Sequence, residues 1–572
     1  MSPASFKAKD GLTFEVVGRE VAGRALDPTG EQGRPARFLL GVPAVLLLLV
    51  LLVPTGWTVV WALNGDPVLL GNFLTVITDD GALAAARNSV LWVGIALIVV
   101  ALGYGIAVAS RLVRGPWRVL LYFLILPFGV SALVSGAIAR MIFDPAPERG
   151  MASALFGADV VWLGPGLIWI VLALSFAWTW LGFVVVLFRA GLDTRAAGPG
   201  LFGHPKLPRP GPVTSIVVLT VLVAAIRVFD LVLIAAPGSI QDDVDVVGLH
   251  WWRMTTRSAD TGGPAALAVL LFIIVGLLSL AGMRRRTTQP DRPTPGPAEN
   301  GAAAPDRKPA KRRALSWLIG LGLAVLFLLP LVVLLGTALH EPRTAGSAGW
   351  WGLSGLGPGS FAEVSASWLW PAVLGSVFLA GLATALVVAA AVPAAYLLTW
   401  GGLPGWLSRG LTLLLVVLAV APVQMYAGPL GDLFGQLGLA GARAPLALVH
   451  AAAGLPFATL VLRTAFQAAP PDLSGTRRPA LDAMWRGRYR RALIAVVVLE
   501  FVLVWNDFIV GFLISGPGST PLNLLLWGEA RQFGISAGTV AAGAVVASVI
   551  PVALLLVTWP KVISGLTGGA TE

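Results

Sequence analysis

The chain has 572 residues, 56% hydrophobic and only 12% charged, with a formal net charge of +11 and a mean hydropathy of +0.83. A soluble globular chain carries about a quarter charged residues, so this composition excludes a string of soluble domains, a disordered chain and a collagen-like fibre. The absence of cysteine excludes disulfides, thiolate metal sites and a cysteine nucleophile.

Residues 1–36 are polar and read as a cytoplasmic segment, not a cleavable signal, because an apolar signal core should follow a short charged start. Apolar blocks of 20 or more residues then recur, each long enough to cross the roughly 30 Å hydrocarbon layer as a helix. Twelve spans are predicted, at about 37–62, 88–110, 119–141, 166–189, 214–236, 264–282, 314–339, 371–399, 410–430, 443–465, 493–515 and 538–559. An even number puts both termini on one side. Placing them in the cytoplasm puts 31 of the 40 Lys and Arg in or at the edge of cytoplasmic segments, among them Arg111, Arg114, Arg118, Arg284, Arg285 and Arg286. This is the positive-inside pattern, and it accounts for the basic charge without nucleic acid. Residues 283–313 are rich in Pro, Arg and Ala, with almost nothing large and apolar, and read as a flexible cytoplasmic linker. The linker separates a first six-span repeat, 37–282, from a second, 314–572.

Landmarks recur between the halves at offsets of 274 to 287 residues. Asn88-Ser89-Val90 matches Gly375-Ser376-Val377, and Leu187-Phe188-Arg189 matches Val461-Leu462-Arg463. Phe229-Asp230 and Asn506-Asp507 lie in the fifth span of each half, followed by Pro237-Gly238-Ser239 and Pro517-Gly518-Ser519. Six spans per half means that both repeats face the same way about an axis along the membrane normal, with a pathway between them. The expected fold is an all-α polytopic membrane protein of about 12 transmembrane helices in two parallel six-helix repeats.

A carboxylate at the centre of a span costs roughly 2.5–3.5 kcal/mol, so Asp230 and Asp507 should face protein or a wet cavity. Arg227 lies one turn before Asp230, on the same helix face. Two readings stay open: a polar pathway lining that includes Asn506, or groups that satisfy one another and pin helices. Glu500 is a further intramembrane acid. Trp178, Trp180 and Trp505 lie within spans and could face a pathway, although interface and packing roles account for most of the 21 tryptophans. Asp242, Asp243 and Asp245 form an acidic run that reads as a solvated loop, with a cation or partner site as the alternative. His204, His250, His340 and His450 lack ligand spacing, so no metal is expected. No catalytic constellation is present, and no Gly-Lys pair occurs to build a phosphate-binding loop.

Residues 454–463 (GLPFATLVLR), 502–508 (VLVWNDF), 565–570 (GLTGGA) and 226–238 (IRVFDLVLIAAPG) resemble segments of maltose-type carbohydrate ABC-importer permeases. The chain looks like two such membrane subunits fused head to tail, the likeness covering 37–282 and 314–570. It implies a multi-pass permease of a bacterial plasma membrane, with a carbohydrate substrate and a pathway lined by Asp230, Trp505, Asn506 and Asp507. It also implies cytoplasmic ABC ATPase subunits that carry ATP and Mg, an extracytoplasmic sugar-binding protein, and no cofactor in this chain. In the family a cytoplasmic EAA-x3-G loop docks the ATPase. In 468–491, Ala480, Leu481, Asp482 and Ala483 stand in its place, without the motif's glutamate. In 190–212 only Arg195, Ala196 and Ala197 remain, among Pro199, Pro205, Pro208 and Pro210, which disfavour a helix. The alternatives are an ion-coupled transporter of six plus six spans, using Asp230, Asp507 and Glu500, and a permease homologue with impaired ATPase coupling.

Overall fold

The structure, a computed structural model, describes residues 39–111, 123–193, 213–258, 260–287, 310–345, 349–468, 487–516, 518–531 and 537–566. In the first half α1 (Val42–Leu63) and α2 (Gly71–Thr78) lead into α3 (Asp80–Arg111). A 3-10 turn at Leu126–Gly129 precedes α4 (Ala132–Ile142), α5 (Met151–Phe156) and α6 (Ile168–Asp193). Then come α7 (Val213–Ile226), α8 (Asp230–Ala235), α9 (Val247–Arg257) and α10 (Gly262–Thr287). The second half opens with α11 (Ala310–Ala338), α12 (Pro342–Ala345), α13 (Gly359–Ser367) and α14 (Leu369–Trp400). It continues with α15 (Gly405–Leu418), α16 (Ala427–Gln436), α17 (Arg443–Ala468) and α18 (Gly487–Asn506). It closes with α19 (Ile509–Ile514), α20 (Leu522–Ala530) and α21 (Ala537–Leu566).

Among the described residues, eight helices are long and apolar enough to cross a membrane: α1, α3, α6, α10, α11, α14, α17 and α21. Each falls on a predicted span. Their uncovered faces are apolar stripes at helical spacing, such as Leu46, Leu49 and Val53 on α1 and Leu318, Leu321 and Val325 on α11. Apolar surface on that scale calls for lipid or another apolar partner, and its position on helices long enough to cross a bilayer points to lipid.

The other four predicted spans are not continuous helices, and they are the third and fifth spans of each half. In the third span of the first half the axis turns by 110° between Phe123–Gly129 and Ala132–Ile142. Ser131 starts the new helix, its hydroxyl accepting the Val134 N–H at 3.2 Å. In the second half α15 ends at Leu418, and Pro422 leads into a 3-10 turn at Val423–Met425 before α16. Pro127 and Pro422 each lack the N–H that an unbroken helix needs. The fifth spans break between Ile226 and Asp230 and between Asn506 and Ile509. At the second of these, Asp507 Oδ2 takes the N–H groups of Val510 and Gly511, both at 3.1 Å, which draws those donors into a new helix start.

The same helix pairs pack in both halves: α3 on α6 and α14 on α17, α3 on α7 and α14 on α18, α1 on α10 and α11 on α21. One hydrogen bond also repeats. Ser89 Oγ accepts the Val247 N–H at 3.1 Å, and Ser376 Oγ accepts the Leu522 N–H at 2.9 Å. The halves interlock through their first spans. α1 packs on α17, and Thr58 Oγ1 donates to Met425 O at 2.8 Å. Reciprocally, α11 packs on α4, and Trp178 Nε1 of α6 donates to Phe327 O at 2.9 Å. One apolar core cluster consequently runs through both halves, and a second gathers residues of α1, α14, α17 and α18.

Candidate functional site

The two fifth-span breaks meet where the halves touch. Phe229 and Phe508 are the residues just before α8 and α19, and their rings face each other with centroids 6.4 Å apart and planes 29° apart. Phe512 joins them, 6.2 Å from Phe229 and 5.1 Å from Phe508. Trp252 of α9 and Trp527 of α20 close on Phe512 at 5.3 and 5.0 Å. Each tryptophan is the sixth residue of its helix, and each helix follows the fifth span of its half. The result is a plug with rough two-fold symmetry, in which Phe229 and Phe508 are each 1% exposed. Ring pairs of this kind contribute about 0.5–1.5 kcal/mol each beyond their buried area.

Around the breaks themselves the chain is polar. The Asp507 carboxylate is held at the start of α19 by its two backbone N–H bonds, whereas Asp230 is the first residue of α8. The two carboxylates and Arg227 are close enough to interact electrostatically, and all three keep partial exposure. From the broken ninth span, buried Tyr426 interacts with Arg227 and Asp507, and buried Gln424 reaches toward Gly248 beside Phe229. His450 of α17 is buried, with Nε2 3.9 Å from Asp507 Oδ2 and no hydrogen-bond partner.

Hydrogen bonds clip this break to the opposite half. Asn506 Nδ2 donates to Gly129 O at 3.0 Å. Ser131 Oγ donates to Asn523 Oδ1 at 3.3 Å, and Asn523 Nδ2 donates to Trp505 O at 3.0 Å. Third-span and fifth-span breaks from different halves are thereby joined.

Of the residues expected to line a pathway, Asp230, Asn506 and Asp507 come together. Both acids sit at breaks, not inside continuous spans as the hydropathy reading had it. Trp505 turns into the protein: it is 3% exposed, donates to Ala547 O at 2.8 Å and stacks on Phe501 at 6.0 Å. Trp178 is engaged by Phe327 O, and Trp180 packs edge-on against Phe128 and Phe183. Glu500 is buried against the notch at Gly454, with Oε2 unbonded. Ala480, Leu481, Asp482, Ala483, Arg195, Ala196 and Ala197 lie outside the described residues, as do residues 1–36.

A second polar group was not read from the sequence. Asp245 is buried, and its Oδ2 lies 2.9 Å from Arg253 Nη1 and 3.2 Å from His250 Nδ1. Arg253 also reaches Asp242 at 2.6 Å, and His250 Nε2 lies 3.3 Å from Asp79 Oδ2. Asn88 Nδ2 donates to the carbonyls of Asp243 and Asp245 at 3.0 and 2.9 Å, anchoring this loop to α3. A cavity of about 400 Å³ opens among Asp242, Asp245, His250, Arg253, Arg257 and Asp260. The solvated-loop expectation fits exposed Asp242 and Asp243 but is corrected for Asp245, whose buried charge requires Arg253. The legible signal was His250 and Arg253 three apart on one helix face, just after the acidic run. Among the described residues no group of three or more His, Cys, Asp or Glu is placed to hold a metal.

No protein-family model matches the chain. Its sequence is similar to permease subunits. An osmoprotective compounds uptake permease of Synechocystis sp., GgtD, is 27% identical over 271 residues, which is 44% of this chain and 90% of that protein. The alpha-glucoside transport system permease AglF of Rhizobium meliloti is 27% identical over 285 residues, 45% of this chain and 83% of that one. The multiple sugar-binding transport system permease MsmF of Streptococcus mutans is 28% identical over 246 residues, 40% of this chain and 83% of that one. Each is thus matched over most of its own length by less than half of this chain.

Proposed function

We propose that the chain is the membrane-spanning core of an ATP-driven ABC importer for a sugar or oligosaccharide, with both permease halves in one polypeptide. The meeting of two matching breaks at the contact between two similarly packed halves carries this reading. Its relatives, permeases matched over 83–90% of their length by less than half of the chain, support it. Interrupted helices are tolerated at membrane depth only where protein or a watery cavity satisfies the freed backbone, and transporters place substrate sites there. Asp507, Asn506, Gln424 and Tyr426 offer the mixture of acceptors and donors that sugar hydroxyls need.

With both termini cytoplasmic in a bacterial plasma membrane, the α9 and α20 side faces outward, so the aromatic plug closes the outer mouth. Separate cytoplasmic ABC ATPase subunits, which carry the ATP and Mg, would dock on loops 190–212 and 468–491, through Arg195 to Ala197 and Ala480 to Ala483. ATP binding would draw the loops together and part the rings. An extracytoplasmic sugar-binding protein would then release its sugar between Asp230 and Asp507, and hydrolysis would restore the closed mouth.

The test is co-purification of the tagged chain with the host's sugar-importer ATPase. Bound ATPase, stimulated by a sugar-loaded binding protein, is expected, and Asp482→Arg should weaken docking more than Arg195→Asp does. A chain that retains no ATPase would overturn the reading in favour of ion coupling through Asp230, Asp507 and Glu500.

A further inference from the structure

Resting on that reading, we propose that the site between the halves excludes negatively charged sugars and takes a neutral or cationic polyhydroxylated substrate. The charges that face the breaks can be counted element by element. The α7–α8 break brings Arg227 and Asp230, and the α18–α19 break brings Asp507. The ninth span contributes uncharged Gln424 and Tyr426, α9 contributes Gly248, and α20 contributes Asn523. α17 contributes His450, which adds charge only if protonated. One guanidinium therefore stands against two carboxylates.

The Asp507 carboxylate cannot swing away, because Val510 and Gly511 both hold Oδ2 at 3.1 Å. In other transporters the positive starts of broken helices point at anionic substrate groups. Here the starts of α8 and α19 are already matched by the chain's own Asp230 and Asp507, so no such end is left for a substrate's carboxylate or sulfonate. His450 offers a polar atom that a substrate hydroxyl could use. Its buried Nε2 has no partner, and a hydroxyl about 2.8 Å from both that nitrogen and Asp507 Oδ2 would bond to each.

The chain has no native cysteine, so Ile509→Cys, two residues from Asp507 and partly exposed, provides a single reporter. The full chain, in membrane vesicles of both orientations, is treated with neutral, trimethylammonium and sulfonate methanethiosulfonates. After correction for free-thiol rates, the cationic reagent is expected to react at least about tenfold faster than the anionic one. Adding Asp230→Asn and Asp507→Asn should invert the preference, because Arg227 is left alone, while the neutral reagent keeps its rate. An asparagine at 507 still accepts the two backbone bonds, so the break survives. Equal cationic and anionic rates in the single-cysteine chain, or a ratio untouched by the two substitutions, would overturn the charge exclusion and leave the permease reading standing. Failure of all three reagents to react would overturn the wet pathway itself, and the exclusion with it.

Discussion

Asp245 shows how much one side chain can hold. It ties Arg253 and His250 of α9 together, while its backbone carbonyl is bonded by Asn88 of α3. Removing one member of a buried ion pair leaves the other charged and unpaired, at a cost of about 3–5 kcal/mol. Asp245→Ala should therefore lower thermal stability in detergent markedly. Replacing both members, Asp245→Leu with Arg253→Met, should cost much less. Equal losses in the single and double variants would mean that the pair does not hold the loop. The matched serines carry smaller loads: each takes one buried backbone N–H, worth about 1–3 kcal/mol when orphaned.

At the scale of elements, the long helices were legible because lipid-facing and core-facing residues are both apolar, so composition alone marks them. The breaks were not, because hydropathy averages over a window and is blind to the path of the backbone. Asp507 was readable as a charge needing company, but its role in opening α19 depends on N–H groups three and four residues later that a continuous helix would have used itself. The site was half legible for the same reason. Asp230, Asn506 and Asp507 stood out as polar residues in apolar runs, whereas Phe229 and Phe508 were noticed only as neighbours of those acids. The helices bearing Trp252 and Trp527 lie between the predicted spans, where nothing in the sequence marks them as reaching back to the breaks. Trp505 drew notice as a ring in a span, yet its orientation is set by Ala547 on another helix.

The third-span bend also leans on a close approach. A Cβ on Gly182 of α6 would collide with the backbone carbonyl of Leu124, whereas one on Gly94 of α3 would meet nothing within 4 Å. Gly182→Ala is expected to reduce the yield of folded protein several-fold, and Gly94→Ala to leave it unchanged, as read by size-exclusion profiles. Overpacking against backbone cannot be relieved by turning a side chain, which sets Gly182 apart from glycines that face flexible groups.

The whole molecule is two halves that each lend a helix to the other. Cutting the chain between the end of α10 at Thr287 and the start of α11 at Ala310, and expressing both fragments together, should give pieces that purify as one, because α1 is seated on α17 and α11 on α4. Either fragment alone should be recovered poorly. Fragments that elute separately would show that the linker, and not the interlock, keeps the halves together.

The interlock also has a dimension in time. α1 ends at Leu63 and its seat on α17 begins at Arg443, some 380 residues later. At about 5–20 residues per second, roughly 20–80 s of synthesis separate the helix from its seat. Throughout that interval the inner face of α1 has only lipid and its own half for company. Had the halves been separate polypeptides, the wait would end at a chance encounter with any compatible permease in the membrane. In one polypeptide it ends on a schedule, with the partner encoded downstream.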